Sequence, residues 1–119
     1  MIKIDLFTLN KIENHMSYTA KKIVIITEKF IVEQVCQLIE ECGATGYTTM
    51  STGGKGSRGV RSEGRGGLTD AYGNVKIEII VADLDVAHDI TNRVSETYFN
   101  NYSGITYMED VEIVRPQKF

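Results

Sequence analysis

The sequence has few of the residues that build metal centres and disulfide frameworks. It contains two cysteines, two histidines, one proline and no tryptophan among 119 residues. Cys36 and Cys42 lie six residues apart without a second pair, whereas structural zinc usually takes about four closely spaced ligands. His15 and His88 lie far apart in the chain. We therefore expect no metal site and two reduced, largely buried thiols.

A long apolar run and a strong net charge are also missing. No stretch approaches the roughly 20 apolar residues of a membrane-spanning helix. The first fifteen residues mix charged and apolar side chains, unlike a secretory leader. The net charge of −3 gives no general attraction to nucleic acid. A hydrophobic content of 42% fits one domain with a modest core. We expect a cytoplasmic protein that does not bind nucleic acid.

The apolar spacing predicts four strands and two helices. Continuous apolar residues within Lys22–Glu28 are typical of a central strand, covered on both faces. Gly43 follows the first helix and is expected to end it in a left-handed cap. Acidic residues open the second helix. In chain order the predicted elements are strand Lys22–Glu28, helix Phe30–Cys42, strand Gly46–Thr52, strand Asn74–Ala82, helix Asp83–Phe99 and strand Tyr102–Val114, the last with an interruption near Glu109 and Asp110.

The order β-α-β-β-α-β predicts an α+β, ferredoxin-like fold with both helices on one face of a four-stranded antiparallel sheet. The first and third strands are then central, and apolar residues on both of their sides would leave the second sheet face apolar. We expect other subunits to cover that face. Residues 1–19 are expected to form a flexible extension, and residues 20–119 the domain.

A glycine-rich segment, residues 53–73, separates the second and third predicted strands. It is roughly twenty residues long, where a hairpin loop usually has about two to five. It carries Glu63, Asp70 and four cations, for a net charge of +2 on an acidic chain; the cations are Lys55, Arg58, Arg61 and Arg65. Glycines let backbone N–H groups converge on one anion, and the cations add charge. The segment therefore indicates a phosphate site; the alternative is a flexible, solvated loop.

Three further functions are suggested by the same features. Gly54–Gly59 matches G-x-G-x-x-G, but no amphipathic helix follows, so a dinucleotide fold is not predicted. RNA-recognition modules share the strand order, and Arg65–Gly67 resembles an RGG element, yet the third strand lacks the aromatic residues on which bases stack. A nucleotide phosphohydrolase of low turnover would need a base near the phosphate, for which Asp70 is the candidate.

The segment TGGKGSRGVRSEG, which follows GATGYTTMS, resembles the T-loop region of PII-like signalling proteins. The stretches KIVIITEKF, NVKIEII and YFNNYSGITYMEDVEI also resemble this family, and in particular its SbtB subgroup, the partner of the sodium-dependent bicarbonate transporter of cyanobacteria. The resemblance covers roughly residues 20 to 114. The domain over residues 20–119 is thus similar to a PII-like domain.

The resemblance implies a signalling protein rather than an enzyme. It implies a homotrimer without a tightly bound cofactor, whose inter-subunit clefts take AMP, cyclic AMP, ADP or ATP as effectors. It also implies action on a bicarbonate transporter from the cytoplasmic side, at the inner face of the plasma membrane, in inorganic carbon metabolism. By motif, the phosphate and ribose end is held by Gly53, Gly54, Lys55, Gly56, Ser57, Arg58 and Arg61. The adenine end is lined, largely through backbone atoms, by Tyr102, Ser103, Gly104, Ile105 and Thr106.

The sequence departs from the family pattern in two places. No cysteine follows Cys42, so the C-terminal redox switch of many subgroup members is absent from the sequence. The Gly-Lys-Ile loop of the nitrogen-regulatory members is also missing. Nitrogen sensing through 2-oxoglutarate is therefore not expected.

Overall fold

Runs of β-branched residues form the strands, and helical spacing of apolar residues forms the helices. The computed structural model describes residues 17–56, 59–61 and 73–115, and its description of 54–56 and 59–61 is restricted to the backbone. In chain order the elements are strand β1 (Tyr18–Glu28), a 3-10 turn (Lys29–Ile31), helix α1 (Val32–Glu41), strands β2 (Thr48–Thr52), β3 (Gly54–Gly56), β4 (Gly59–Arg61) and β5 (Asn74–Val81), helix α2 (Leu84–Tyr98) and strand β6 (Gly104–Ile113).

Four of the strands form one antiparallel sheet in the order β2-β5-β1-β6. The first and third predicted strands, now β1 and β5, are central as expected. Each strand–helix–strand unit therefore spans a strand contributed by the other unit, which is the split βαβ arrangement. The predicted ferredoxin-like α+β fold is confirmed. Within the described ranges, no helix is long and apolar enough to cross a membrane.

The core lies between the helices and one face of the sheet. On that face Ile23 of β1 is paired with Ile79 of β5, and Ile25 with Ile77, and all four are fully buried. They join Val35, Ile39, Ile90 and Val94 of the two helices in one apolar cluster. Complete burial of such a side chain contributes about 1.5–3 kcal/mol. This face therefore holds the helices onto the sheet.

The opposite face, which we call the open face, carries apolar residues that the helices do not cover. On it Val24 is paired with Tyr107, and Ile26 with Ile105. Ile105 is 51% exposed and Tyr107 42% exposed. β5 contributes less apolar surface there than expected, because beside Ile80 it presents Lys76 and Glu78, whose Nζ and Oε2 lie 3.4 Å apart as an ion pair.

The helix ends follow the predicted signals. Gly43 has a φ of +116°, the left-handed conformation expected of it, and the amide of Ala44 donates to the carbonyl of Ile39 at 3.1 Å. Asp83 caps α2, since its Oδ1 accepts hydrogen bonds from the amides of Asp85 at 2.8 Å and Val86 at 3.3 Å. These caps fix where each helix meets the sheet.

β6 and β1 differ most from expectation. The interruption predicted near Glu109 and Asp110 is wrong, because β6 runs unbroken through both. The register places Lys21 opposite Asp110, with Nζ 2.5 Å from Oδ1, and this cross-strand pair stabilises charged residues within the strand. β1 begins at Tyr18, so the last two residues of the predicted extension are strand. Residues 1–16 lie outside the described ranges, and the flexible extension stays a prediction.

Candidate functional site

One end of the sheet gathers most of the residues that the sequence singled out. β1 and β2 end there, and β5 and β6 begin there: Glu28 and Thr52 are both opposite Asn74, and Thr27 is opposite Gly104. The glycine-rich segment therefore leaves and re-enters the sheet at the same end as the Tyr102–Thr106 stretch. We call this the loop end of the sheet.

The loop half of the predicted site begins with a short ribbon. Gly53 follows β2, and β3 then pairs with β4, with Gly54 opposite Arg61 and Lys55 opposite Val60. Sequence reasoning treated this stretch as loop and missed the ribbon, although two short runs separated by two residues are the spacing of a tight hairpin. Ser57 and Arg58 lie outside the described residues, as does Asp70, the base of the phosphohydrolase alternative.

The other half of the predicted site is a turn held rigidly on the end of β1. The Ser103 amide donates to Oε2 of Glu28 at 2.5 Å, and the Ser103 carbonyl accepts from Oγ1 of Thr27 at 2.8 Å. Thr27 and Ser103 are buried. Both backbone groups of Ser103 are thus already bonded within the protomer. Ser103 therefore fixes the shape of the turn, and its backbone has little left to offer a ligand.

Gly104 has a packing role that the sequence did not reveal. A Cβ built on it would lie 2.6 Å from Cζ and 2.9 Å from Cδ1 of the Phe99 ring, both closer than real Cβ contacts. The ring at the end of α2 therefore occupies the place of a side chain. The close approach to the Gly104 backbone is made, within the protomer, by Phe99.

The next two residues of the predicted site lie on opposite faces of β6. Ile105 is on the open face and exposed, so it is available to a neighbouring molecule. Thr106 is opposite Ile25, on the helix-covered face. Its Oγ1 is buried and has no hydrogen-bond partner among the described residues. In this placement the backbone of Thr106, and not its side chain, is the part that fits a contact with a ligand.

An aromatic pair at the loop end was missed by sequence reasoning. Phe30, in the 3-10 turn after β1, is 61% exposed, and its ring centroid lies 6.2 Å from that of Tyr102 at an interplanar angle of 33°. Offset or tilted pairs at this separation are favourable. The signal was the motif TEKF, in which polar residues at the end of a buried strand are followed directly by an aromatic residue.

The cysteine region carries no second site. Burial raises the pKa of the Cys36 thiol. The pKa of the Cys42 thiol is raised mainly by burial and secondly by the negative charge of Asp89. Tyr47, hydrogen-bonded to Cys36, has a raised pKa as well. Thiols with raised pKa values stay protonated and unreactive. Both cysteines are free, as predicted, although only Cys36 is fully buried. Among the residues that the structure describes, no group of three or more His, Cys, Asp or Glu could hold a metal ion.

The two halves of the predicted site lie on opposite edges of the sheet. β2 and β6 are the outer strands, with β5 and β1 between them. Three strand spacings of about 4.8 Å separate them by roughly 14 Å. Within one protomer the Tyr102 turn and the end of β2, from which the glycine segment leaves, are therefore well separated.

Comparisons with known proteins bear on the family and the fold. The family model for nitrogen regulatory protein P-II matches residues 20–118. A PII-like signalling protein from Thermus thermophilus is 33% identical, with a TM-score of 0.72, over 87% of this chain and 97% of that one.

Two other solved structures extend the comparison. CPII from Thiomonas intermedia, a nitrogen regulatory PII-like protein seen bound to ADP, AMP and bicarbonate, is 27% identical, with a TM-score of 0.78, over 87% of this chain and 96% of that one. GlnK from B. subtilis, in complex with ATP, is 24% identical with a TM-score of 0.53, over 81% of this chain and 84% of that one. The GlnK likeness concerns the fold alone.

Proposed function

The chain belongs to the P-II family of nitrogen regulatory proteins, and from that premise we propose that it is a homotrimeric sensor of adenine nucleotides that regulates a bicarbonate transporter. The family consists of signalling proteins rather than enzymes. The proposed effectors are AMP, cyclic AMP, ADP and ATP, bound in the clefts between subunits. The observation that carries the proposal is the similarity to the Thiomonas protein, which was seen with ADP, AMP and bicarbonate.

The placement of the two half-sites supports a cleft between subunits. The β2 root of the loop and the Tyr102 turn lie about 14 Å apart on opposite sheet edges. The open face carries exposed Ile105 and Tyr107 on β6, and Met50, which is 52% exposed, on β2 at the other edge. Apolar surface of this kind marks an interface. Packing the open faces of three copies around one axis would bring the β2 edge of one copy beside the β6 edge of the next.

The proposed ligand contacts follow from the two half-sites. At the phosphate end, the backbone of Gly53, Gly54 and Gly56 supplies N–H donors, and Lys55, Ser57, Arg58 and Arg61 add charge and a hydroxyl. At the adenine end, Tyr102, Gly104 and Ile105 contact the base, while Ser103 and Thr106 fix the shape of the chain at the start of β6. Electrostatic attraction would favour binding of an anionic nucleotide here, because the segment has a net charge of +2 on an acidic chain.

The proposed partner is an inorganic-carbon transporter of the SbtB-associated kind. The motifs GGKGSR-x-VRS and YFN-x-Y-x-GI-x-Y support this subgroup, and the bicarbonate seen with the Thiomonas protein links a relative to the same solute. Nucleotide binding would change the contacts that the glycine segment offers to the cytoplasmic face of the transporter. Regulation then arises because two conformations of the glycine segment bind the transporter with different affinities, and no chemical reaction is needed.

Titration calorimetry with the four adenine nucleotides tests the binding step. We expect saturable heat from at least one of them, and a loss of about tenfold in affinity for Arg58→Ala, since hydrogen bonds to charged groups contribute about 1.5–3 kcal/mol. Arg93→Ala is the matched control, because Arg93 lies on α2 with its guanidinium 3.7 Å from Asp89. No heat from any nucleotide at high micromolar concentration would contradict the proposal.

The transporter step needs a separate experiment. Co-purification of the tagged protein from native membranes, with and without each nucleotide, should recover a sodium-dependent bicarbonate transporter in a nucleotide-dependent amount. Recovery of the same membrane proteins under all conditions, or of no transporter, would remove this part of the proposal and leave nucleotide binding intact. Adding bicarbonate to the ADP titration shows whether bicarbonate is a second ligand here.

A further inference from the structure

The carboxylate of Glu28 has no role in the proposal above, yet it makes one of the shortest polar contacts at the loop end. Its Oε2 accepts the Ser103 amide at 2.5 Å, across 75 residues of sequence. A carboxylate beside a site for an anion repels the anion, so its presence there calls for a structural reason. Its hydrogen bond to the Tyr102 turn, in the adenine half of the proposed site, gives it such a purpose.

Glu28 is itself held firmly in place. The residue before it, Thr27, is fully buried and donates its hydroxyl to the Ser103 carbonyl. The amide of the residue after it, Lys29, donates to the carbonyl of Gly73 at 2.7 Å. Glu28 therefore stands on the end of a central strand, bonded on both flanks. The base of its side chain is thus fixed, and its carboxylate accepts from the turn that it meets.

A turn that contacts a base through backbone atoms needs such a support. Backbone groups distinguish one base edge from another only if they are fixed to within about 0.5 Å. The Tyr102 turn has a further anchor, the amide of Tyr102 donating to the carbonyl of Tyr98 at 2.9 Å. The hydrogen bond from Ser103 to Glu28 is charge-assisted and therefore stronger than this neutral one.

We propose that Glu28 is a positioning residue for base recognition: through Ser103 it sets the backbone of Tyr102 and Gly104 in the geometry that selects adenine. The inference rests on the proposed nucleotide site. It assigns to Glu28 no contact with the ligand. It predicts that loss of the carboxylate lowers selectivity for the base more than it lowers binding of the phosphate.

The test compares AMP with GMP by titration calorimetry on the full chain. For Glu28→Ala we expect about a tenfold loss of AMP affinity, the size of a charge-assisted hydrogen bond, and a clearly smaller loss for GMP, so that the AMP-to-GMP preference falls. Glu28→Gln keeps a carbonyl oxygen in the same place. It should bind AMP within about threefold of the unchanged protein.

Two further variants separate positioning from stability. Thr27→Val removes the other bond to Ser103 with little change of shape, and should reduce the same preference even if Glu28→Ala folds poorly. Glu96→Ala is the control, since Glu96 is an exposed carboxylate on α2. Faster amide exchange at Ser103 in Glu28→Ala, restored in Glu28→Gln, would support the mechanism independently of nucleotide.

The outcomes are distinguishable. An unchanged protein that binds no adenine nucleotide overturns the proposed function and this inference together. If the unchanged protein binds AMP, an unaltered AMP-to-GMP preference in both Glu28→Ala and Thr27→Val overturns the inference alone, as does an equal loss for the two nucleotides. In that case Glu28 contributes only to folding, which a lower melting temperature with unchanged preference would show.

Discussion

The two faces of the sheet are built from similar residues but end in different surroundings. On the helix-covered face, Ile77 and Ile79 are fully buried within the protomer. On the open face, Ile105 and Tyr107 remain about half exposed. The first face has its cover in the same chain, whereas the second requires another molecule. Composition alone therefore shows that a surface is apolar, and topology shows which apolar surface is left for assembly.

The largest expected effect comes from charging the open face. Ile105→Asp places a carboxylate where the proposed trimer buries an isoleucine, and burial of an unpaired charge costs several kcal/mol. We expect the assembly to dissociate into folded protomers of 13.3 kDa, measured by light scattering after size exclusion. Circular dichroism should remain that of a folded α+β protein.

Val114→Asp provides the control for this change. Val114 is 73% exposed and follows the last paired residue of β6, so it lies outside the sheet. The same charge there should leave the assembly intact. A protein that is already monomeric before any substitution, or a trimer that survives Ile105→Asp, would mean that the open face is not the interface.

The sequence predicts the packed part of the molecule far better than the site. Apolar spacing located the central strands, and local signals at Gly43 and Asp83 located helix ends, because these depend on neighbours within a few residues. The Tyr102 turn was found only by resemblance. Its support by Glu28 could not be predicted, since it joins residues 75 apart through a register that only the folded sheet defines.

The errors at strand ends have the same physical origin. The pair Glu109 and Asp110 reads locally as a break, and only cross-strand lysines make it part of β6. The packing role of Gly104 is likewise invisible locally, since only the end of α2 shows that the Phe99 ring lies against it. Where a residue's role is set by a partner distant in sequence, periodicity gives no information about it.

The second prediction compares the faces on one strand. Ile79 and Ile80 are neighbours in β5, the first on the covered face and the second on the open face. Ile79→Ala should lower the free energy of unfolding by about 3 kcal/mol at any protein concentration, because it leaves a cavity in the core. Ile80→Ala should cost less, and its cost should shrink on dilution as the assembly dissociates.

Urea denaturation at two protein concentrations measures both variants. The comparison between faces fails if the two substitutions cost the same, or if the cost of Ile79→Ala depends on concentration in the way expected of Ile80→Ala. Either result would place both isoleucines in the same environment, contrary to the burial of Ile79.

The smallest expected effect concerns the packing of the helix-covered face at Gly104, next to the Tyr102 turn. Gly104→Ala puts a methyl group within 3 Å of the Phe99 ring, and overpacking of this kind costs about 1–3 kcal/mol. Gly46→Ala is the matched control, since a Cβ there meets no atom within 4 Å. Denaturation should show a loss for the first and little change for the second. If Gly104→Ala is as stable as the unchanged protein but binds AMP more weakly, the glycine serves the ligand, and the Phe99 contact is incidental.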